Sequence, residues 1–382
     1  MKAGYKVWDT DTHCRPSTET IEPYFDAAMR AKLPELEKRK RTIDRDVEGM
    51  IVGNHAYSFG GRIPYPRFLN REGPEPGLHR PRQVFMGQRH ATKGAIDNDP
   101  DARLKDMDEE GVDTQLIIGG MTYAAHIDDR TIPIGLMRAY NRYLNDFCGR
   151  NPNRLKALMP IIPDAVEECV EEVNKWGDSK WAVGVYVQMM NDTPMDHPKM
   201  EPIWKAVDDH GLAVIYHSNY AGPPHFPGCN DLWGNAFLGR SAAHPWGAMR
   251  AIGSFIGAGT MDRYKQLRFG ILESGCGWIP FWMRRLDDQA HYVGATAELQ
   301  KTIGEHMTGG RFFSSIEMAE GQDMIEMVAD FMGPDVLMYA SDYPHFECRF
   351  PGSVDYFMNW TLDETLRRKL LWDNPARFYG KV

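Results

Sequence analysis

Short apolar runs alternate with stretches of helical spacing along most of the chain. Residues 336–340, Val-Leu-Met-Tyr-Ala, are bounded by Gly333-Pro334-Asp335 and contain no polar alternation. A strand with one wet face would alternate, so this run predicts a strand buried on both faces. Similar runs stand at residues 5–8, 112–118, 155–162, 181–187, 212–217, 267–273 and 311–316. Between them the apolar residues recur at three and four, which predicts helices. These span residues 101–110, stopped by Gly111, then 132–151, 164–176 with Asp164 as N-cap, and 200–210 with Gly211 just past the end. Further helices are expected over 241–258, led by His244-Pro245, and over 281–290, 323–331 and 363–371. Residues 17 to about 40 also carry helical spacing.

Repeated strand–helix units imply a parallel sheet, and eight of them favour closure. The expected class is therefore α/β, a (β/α)8 TIM-type barrel forming a single domain over residues 1–382. Residues 41–100 break the pattern. Gly, Pro, Arg and aromatics dominate there, as in the run from Tyr57 to Arg67. A segment this long without regular periodicity reads as a loop-rich insertion after the first strand, with some short strands, covering the site or a subunit contact. His55, His79 and His90 lie in it and read as loop histidines.

Charge and composition narrow the function. A formal net charge of −9 offers no basic footprint for nucleic acid or an anionic membrane surface. No apolar run reaches the length of a membrane span, and the start lacks the apolar stretch of a secretory signal. A cytoplasmic protein with reduced thiols is expected. The six cysteines form no C-x-x-C pair, and Cys276 and Cys348 read as small buried hydrophobes despite their position near candidate motifs. Ten Trp and 22 Met suit apolar pockets and subunit contacts, so a homo- or hetero-oligomer of related subunits is expected.

The candidate chemistry stands at strand ends. The first strand runs into Asp9-Thr-Asp11-Thr-His13, where alternation would put Asp9, Asp11 and His13 on one side. The fifth ends in Tyr216-His217-Ser-Asn219, the sixth in Glu273, and the eighth in Asp342 with His345 close behind. One such terminus is an ordinary loop. Four that meet at the carboxyl face of a barrel make a ligand set, and a divalent cation is the economical way to hold carboxylates and imidazoles together. The expected metal residues are Asp11, His13, His217, Glu273, Asp342 and His345, with Asp342 and Glu273 as the catalytic groups. His244 is a weaker candidate for the site.

Five motifs now carry a resemblance. They are Asp11-Thr-His13, His197-Pro-x-x-x-Pro-Ile-Trp204 leading to His217, Glu273-Ser-Gly-Cys-Gly-Trp-Ile-Pro280, Ser341-Asp-Tyr-Pro-His345 and Asn374-Pro-Ala-Arg-Phe-Tyr379. The chain resembles the amidohydrolase superfamily, in the branch of the aminocarboxymuconate-semialdehyde and resorcylate decarboxylases. The resemblance implies metal ligands at Asp11, His13, His217 and Asp342. It departs from the family at two places. The family's first motif is His-x-His, and its catalytic histidine after strand six is Glu273 here. No lysine stands in residues 181–187, so no carbamate bridge is expected.

Three readings follow. The first is metal-assisted hydrolysis or non-oxidative decarboxylation of a small carboxylate or amide, with zinc expected for one ion. Asp342 would move the proton and Glu273 act as a second base. Arg15 or Arg284 could receive a substrate carboxylate, and Trp278 and Trp282 could wall the pocket, although pairing and core packing are the plainer roles. The second is a dinuclear iron or manganese hydroxylase that uses O2. The third is a supporting subunit in a hetero-oligomer.

Overall fold

The computed structural model describes residues 1–59, 84–119, 124–187, 193–218, 236–294 and 299–381. Eight strands pair in parallel in chain order: β1 (Trp8–Cys14), β2 (Thr114–Gly119), β3 (Leu155–Ile161), β4 (Ala182–Val187), β5 (Ala213–His217), β6 (Arg268–Leu272), β7 (Phe312–Ser315) and β8 (Leu337–Met338). The last meets the first. Thr10 N–H donates to the Tyr339 carbonyl at 3.1 Å, Asp342 N–H to Asp11 at 3.0 Å, and His13 N–H to Tyr343 at 2.7 Å. The sheet is thus wrapped into the expected (β/α)8 TIM-type barrel. Each strand up to β7 is followed by a helix before the next: α1 (Pro100–Glu110), α2 (Thr131–Gly149), α3 (Val166–Trp176), α4 (Glu201–Asp209), α5 (Ala236–Phe255), α6 (Ile279–Gln289) and α7 (Gln322–Met332).

Every residue of β2 to β5 is buried, the polar Thr114, Gln115 and Lys156 among their apolar neighbours included. Alternate residues split between two cores. Leu116 and Ile118 join Trp8, Val183, Ile215, Leu272 and Met338 inside the barrel, whereas Ile117 faces the helices. The inner core is floored by the closing helix Asn374–Tyr379: Tyr379 stacks on Trp8 with centroids 5.5 Å apart, and Phe378 packs on Phe313 at 4.8 Å.

β1 lies later than expected. Its polar run is the strand itself, because each polar side chain inside it finds a neighbour. The Thr10 hydroxyl donates to Tyr339 at 2.8 Å, that of Thr12 to Leu116 at 2.6 Å, and Asp9 accepts from the Ser341 hydroxyl at 2.5 Å and its N–H at 2.9 Å. The register shifts between Asp9 and Thr12, so the alternation that would have grouped Asp9 with Asp11 and His13 is broken. Asp9 points into protein, and burial pushes its carboxyl up to about 7.

Other elements also depart from the pattern. Residues 17–40 form four short helical pieces, two of which carry Pro23 or Pro34 in their first turn. Asp164 does not cap α3, whose N-cap is Ala165; its carboxylate takes Lys199 at 2.5 Å instead. α5 starts upstream of the expected point and runs through Pro245. Gly111 and Gly211 have φ of 87° and 60°, as helix-ending glycines should. In the region expected to be an insertion, Lys40–Thr42 pairs antiparallel with His55–Tyr57. Residues 85–90 run along 346–350, with Met86 N–H donating to Phe346 at 2.8 Å. His79, Asn219 and Cys229 lie outside the described residues. Among those described, no helix is long and apolar enough to cross a membrane.

Glu110 closes α1, is only 4% exposed, and accepts from the Val354 N–H at 2.7 Å. Burial pushes it up to about 8 from 4.5, the Val354 bond only partly offsetting this. The folded chain therefore favours the protonated acid. That stabilisation is fully present below about pH 4.5 and is lost as pH rises through about 8. Glu110→Gln keeps the acceptor and cannot ionise. Urea unfolding at about pH 5.5 and 8.5 should show the variant shedding a pH-dependent loss of about 3 kcal/mol that the parent suffers. Equal slopes for both proteins would refute this.

Candidate metal centre

The carboxyl ends of β1, β5, β6 and β8 deliver their side chains to one place. Asp11 and His13 lie within β1, His217 ends β5, Glu273 follows β6, and Asp342 and His345 follow β8. His13 Nε2 lies 2.9 Å from Asp342 Oδ1 and 3.3 Å from Asp11 Oδ1. His217 Nε2 lies 3.4 Å from Asp11 Oδ1 and 3.3 Å from Glu273 Oε2. His345 Nδ1 lies 2.7 Å from Asp342 Oδ1, and its ring stacks on His13 at 4.2 Å. All six expected residues are therefore neighbours.

Two of them sit on left-handed backbone: Glu273 at φ 49° and Asp342 at φ 59°. Such conformations cost on the order of 1–3 kcal/mol for a non-glycine residue, and the surrounding bonds hold them. Glu273 N–H donates to the Ser315 hydroxyl at 3.1 Å, and Asp342 donates to the Asp11 carbonyl. The turn carries each carboxylate back over the barrel mouth.

The polar atoms do not satisfy one another. His217 Nδ1–H donates to the Ser218 carbonyl at 2.8 Å, which turns Nε2 toward the carboxylates. Among the described residues, Asp11 Oδ1, His217 Nε2 and Asp342 Oδ2 are buried without a hydrogen-bond partner. Unpaired buried acceptors are costly. Three groups have ligand atoms mutually within 4.8 Å: Asp11, His13 and His217; His13, Asp342 and His345; and Glu273, Asp342 and Glu347. Oxygen and imidazole donors facing one point fit a divalent cation.

The electrostatics agree. Burial would raise Asp342 and Asp11, but His345 and His13 hold Asp342 well below the usual range, and His217 and His13 hold Asp11 down. Burial alone would lower His13 and His217, yet Asp11 and Asp342 raise His13 well above its ordinary value and Asp11 raises His217. Protons on these imidazoles are thus what balances the carboxylates, and a bound cation would displace them. Burial, helped by Asp342, pushes Glu273 up to about 7.

Of four further residues at the site, Arg240, Glu317 and Arg103 were not read from the sequence, and His244 was the weaker candidate. Arg240 on α5 donates to Glu273 Oε1 at 2.7 Å and also to Glu347. Glu317, just past β7, is raised well above its usual value by burial and by Glu273, Asp342 and Asp11; its place after a seventh strand end was a usable signal. Arg103 on α1 is fully buried beneath β1, where it donates to the His13 carbonyl at 2.9 Å. His244 belongs here too, its Nδ1 3.8 Å from Glu273 Oε1. Burial, with Arg240 and His217, lowers it to about 3.

Other candidates lie elsewhere. Arg15 pairs with Glu48 at 2.5 Å, and Arg284 stacks over Phe331 on the outer helices, so neither has the role of a carboxylate receiver in this mouth. His55 pairs with Glu19, and His90 stacks on Phe85. Trp278 and Trp282 pack against the outer core and donate to the Ser274 and Met249 carbonyls. Cys276 and Cys348 are buried, as expected.

Known proteins share this plan. A family model described as amidohydrolase matches residues 10–381. A gamma-resorcylate decarboxylase of Polaromonas sp. is 24% identical over 301 residues, 73% of this chain and 86% of that protein. Two solved structures overlay nearly whole. An amidohydrolase of Mycobacterium avium subsp. paratuberculosis has a TM-score of 0.72 at 18% identity, covering 99% of this chain and 98% of the other. A 5-carboxyvanillate decarboxylase of Novosphingobium aromaticivorans, complexed with manganese and a nitrobenzoic acid, has a TM-score of 0.68 at 16% identity, covering 99% and 97%. With a family match that runs over almost its whole length, on the barrel fold that the solved structures share, the chain belongs to the amidohydrolase family.

Proposed function

We propose that the protein is a metal-dependent decarboxylase of a small aromatic carboxylate. The observation that carries this is the set of buried, unpartnered ligand atoms on Asp11, His217 and Asp342 beside His13. The decarboxylase relatives supply the reaction class. Asp11, His13, His217 and Asp342 would hold the ion, with His345 and Glu273 at its edge. A divalent ion bound there supplies Lewis acidity toward the substrate's oxygens. Manganese, named in the solved decarboxylase, is favoured over the zinc expected from the sequence.

The chain's own residues then have defined work. When the carboxyl group leaves as CO2, its bonding pair stays on the ring carbon, which takes a proton. Asp342 delivers that proton. His345, bonded to it and 44% exposed, exchanges protons with solvent. Glu273 is the second base, oriented by Arg240. Arg240 also offers a guanidinium to a substrate anion, the part first assigned to Arg15 or Arg284.

Protein purified without chelator and loaded with manganese should retain the ion. It should release CO2 from at least one ortho-hydroxybenzoate, with 2,6-dihydroxybenzoate and 5-carboxyvanillate as the first probes, and in D2O should place one deuteron on the vacated carbon. Failure to retain any divalent ion, or retention with no CO2 from such a panel, overturns the reading. The two-ion oxygenase is favoured by one observation, the further ligand group Glu273, Asp342 and Glu347, which shares Asp342 with the group of His13 and His345. Two redox-active ions per chain together with O2 consumption would select it.

A further inference from the structure

A carboxylate grips a guanidinium best through two parallel N–H bonds. The group has two edges that can make such a pair, Nη1 with Nη2 and Nε with Nη2, and both need Nη2. In Arg240 the two protons of Nη2 are already taken. One goes to Glu273 Oε1 at 2.7 Å and the other to Glu347 Oε1. An arriving anion therefore has no two-point hold on Arg240 until one of these carboxylates withdraws.

Burial decides which one. The side chain of Glu273 is 8% exposed and that of Glu347 is 32% exposed. Glu273 is also held from other directions: its N–H donates to the Ser315 hydroxyl, and Oε2 lies 3.3 Å from His217 Nε2. The Glu347 carboxylate bonds to Arg240 alone among the described residues. Its backbone is fixed on both sides, since Met86 N–H donates to the Phe346 carbonyl at 2.8 Å and Cys348 N–H to the His345 carbonyl at 3.2 Å. The side chain can thus turn while the loop stays in place. Repulsion pushes it the same way. Oxygens of Glu273, Asp342 and Glu347 lie within 4.8 Å of one another, and an incoming anion would add a fourth carboxylate beside one guanidinium. A half-exposed carboxylate that turns outward regains its water, so the exchange costs little.

We propose that Glu347 is a built-in stand-in for the substrate's carboxylate. It covers Nη2 of Arg240 in the free protein and swings to solvent when the carboxylate of an aromatic ligand takes its place. The proposal rests on the reading of the site as one for aromatic carboxylates, and it adds a rule of selection. A ligand must carry an anion that can replace Glu347 on Arg240. A neutral aromatic of the same shape leaves the pair closed.

Benzoate and benzamide test it, because they differ in that charge and both lack the ring hydroxyl of the reactive panel. Affinities are read by titration calorimetry on manganese-loaded protein, with the manganese content measured for every variant. Glu347→Asp keeps the charge but draws the carboxylate back by one methylene from Arg240. It should bind benzoate roughly tenfold more tightly than the parent, the effect of one charge-assisted hydrogen bond that no longer has to be displaced, and benzamide no differently. Glu347→Gln should gain at least as much. In an Arg240→Lys background, where no two-point edge exists, the gain should vanish. Benzoate binding that is absent throughout or unchanged by Glu347→Asp, a gain shared by benzamide, or a gain that persists with Arg240→Lys would overturn the proposal. So would loss of manganese from Glu347→Gln, which would mark Glu347 as a ligand of the ion. Carbon dioxide release is read separately. Release from the hydroxybenzoates with a flat benzoate response would keep the reaction and remove this role of Glu347. The tenfold response without release would keep the role and remove the reaction.

Discussion

Asp342→Asn should lower turnover by roughly 10²–10⁴-fold, the range for loss of a positioned proton carrier, while leaving the fold nearly as stable. The two halves of that expectation have separate causes. Asn matches Asp in size, and asparagine tolerates left-handed backbone at least as well, so the φ of 59° is kept. The Asp342 N–H bond to the Asp11 carbonyl is also kept, being backbone to backbone. What disappears is the charge. Asp342 is the one side chain that touches both His13, at 2.9 Å, and His345, at 2.7 Å. Without it the ion loses a ligand and the proton route to solvent loses its inner end. Activity, metal content and melting temperature measured on the same preparation separate these effects. Parent-like turnover would remove Asp342 from the chemistry.

Arg103→Met should be the most damaging change to stability, costing on the order of 3–5 kcal/mol. This guanidinium is wholly buried and pairs with no carboxylate among the described residues, but every face is used. Nε donates to Gln115 Oε1 at 2.6 Å, Nη2 to the Thr12 hydroxyl at 2.6 Å, and Nη1 to the His13 carbonyl at 2.9 Å. Its flat face lies 4.4 Å from the centre of the Tyr343 ring, whose hydroxyl donates to Asp106 at 2.6 Å. Arg103 therefore ties the His13 end of β1 to the loop that carries Asp342. Methionine fills the volume but leaves those acceptors without donors. Lysine should rescue poorly, because one ammonium cannot reach three diverging acceptors and stack as well. Urea unfolding reads the stability. A loss below about 1 kcal/mol, no more than a single ordinary hydrogen bond contributes, would show the network to be dispensable.

The barrel was legible because its strands are buried on both faces. Runs such as 181–187 and 336–340 have no charged or amide side chain to mislead, and the glycines after α1 and α4 announce their stops. β1 was misplaced for the opposite reason. Its Asp and Thr side chains are satisfied by Ser341, Tyr339 and Leu116, partners that are distant in sequence, so the segment resembled a polar turn. The candidate site was legible where a strand ends in a ligand-type residue, as at His217, Glu273 and Asp342. Arg240 and Arg103 were not, because helix positions carry no mark of what they face. Asp9 was misread because a register shift inside β1 turned it away from Asp11 and His13, and periodicity alone cannot locate such a shift.

The closing helix puts Phe378 and Tyr379 under the first strand. Trp8 leaves the ribosome ahead of the rest of the barrel, and its stacking partner is made some 370 positions later. During synthesis the barrel thus has walls but no base, and its inner apolar residues stay open to water until translation has passed that tyrosine. Nascent chains stalled before residue 378 should accordingly bind chaperones and stay protease-sensitive, then compact once those last aromatics emerge.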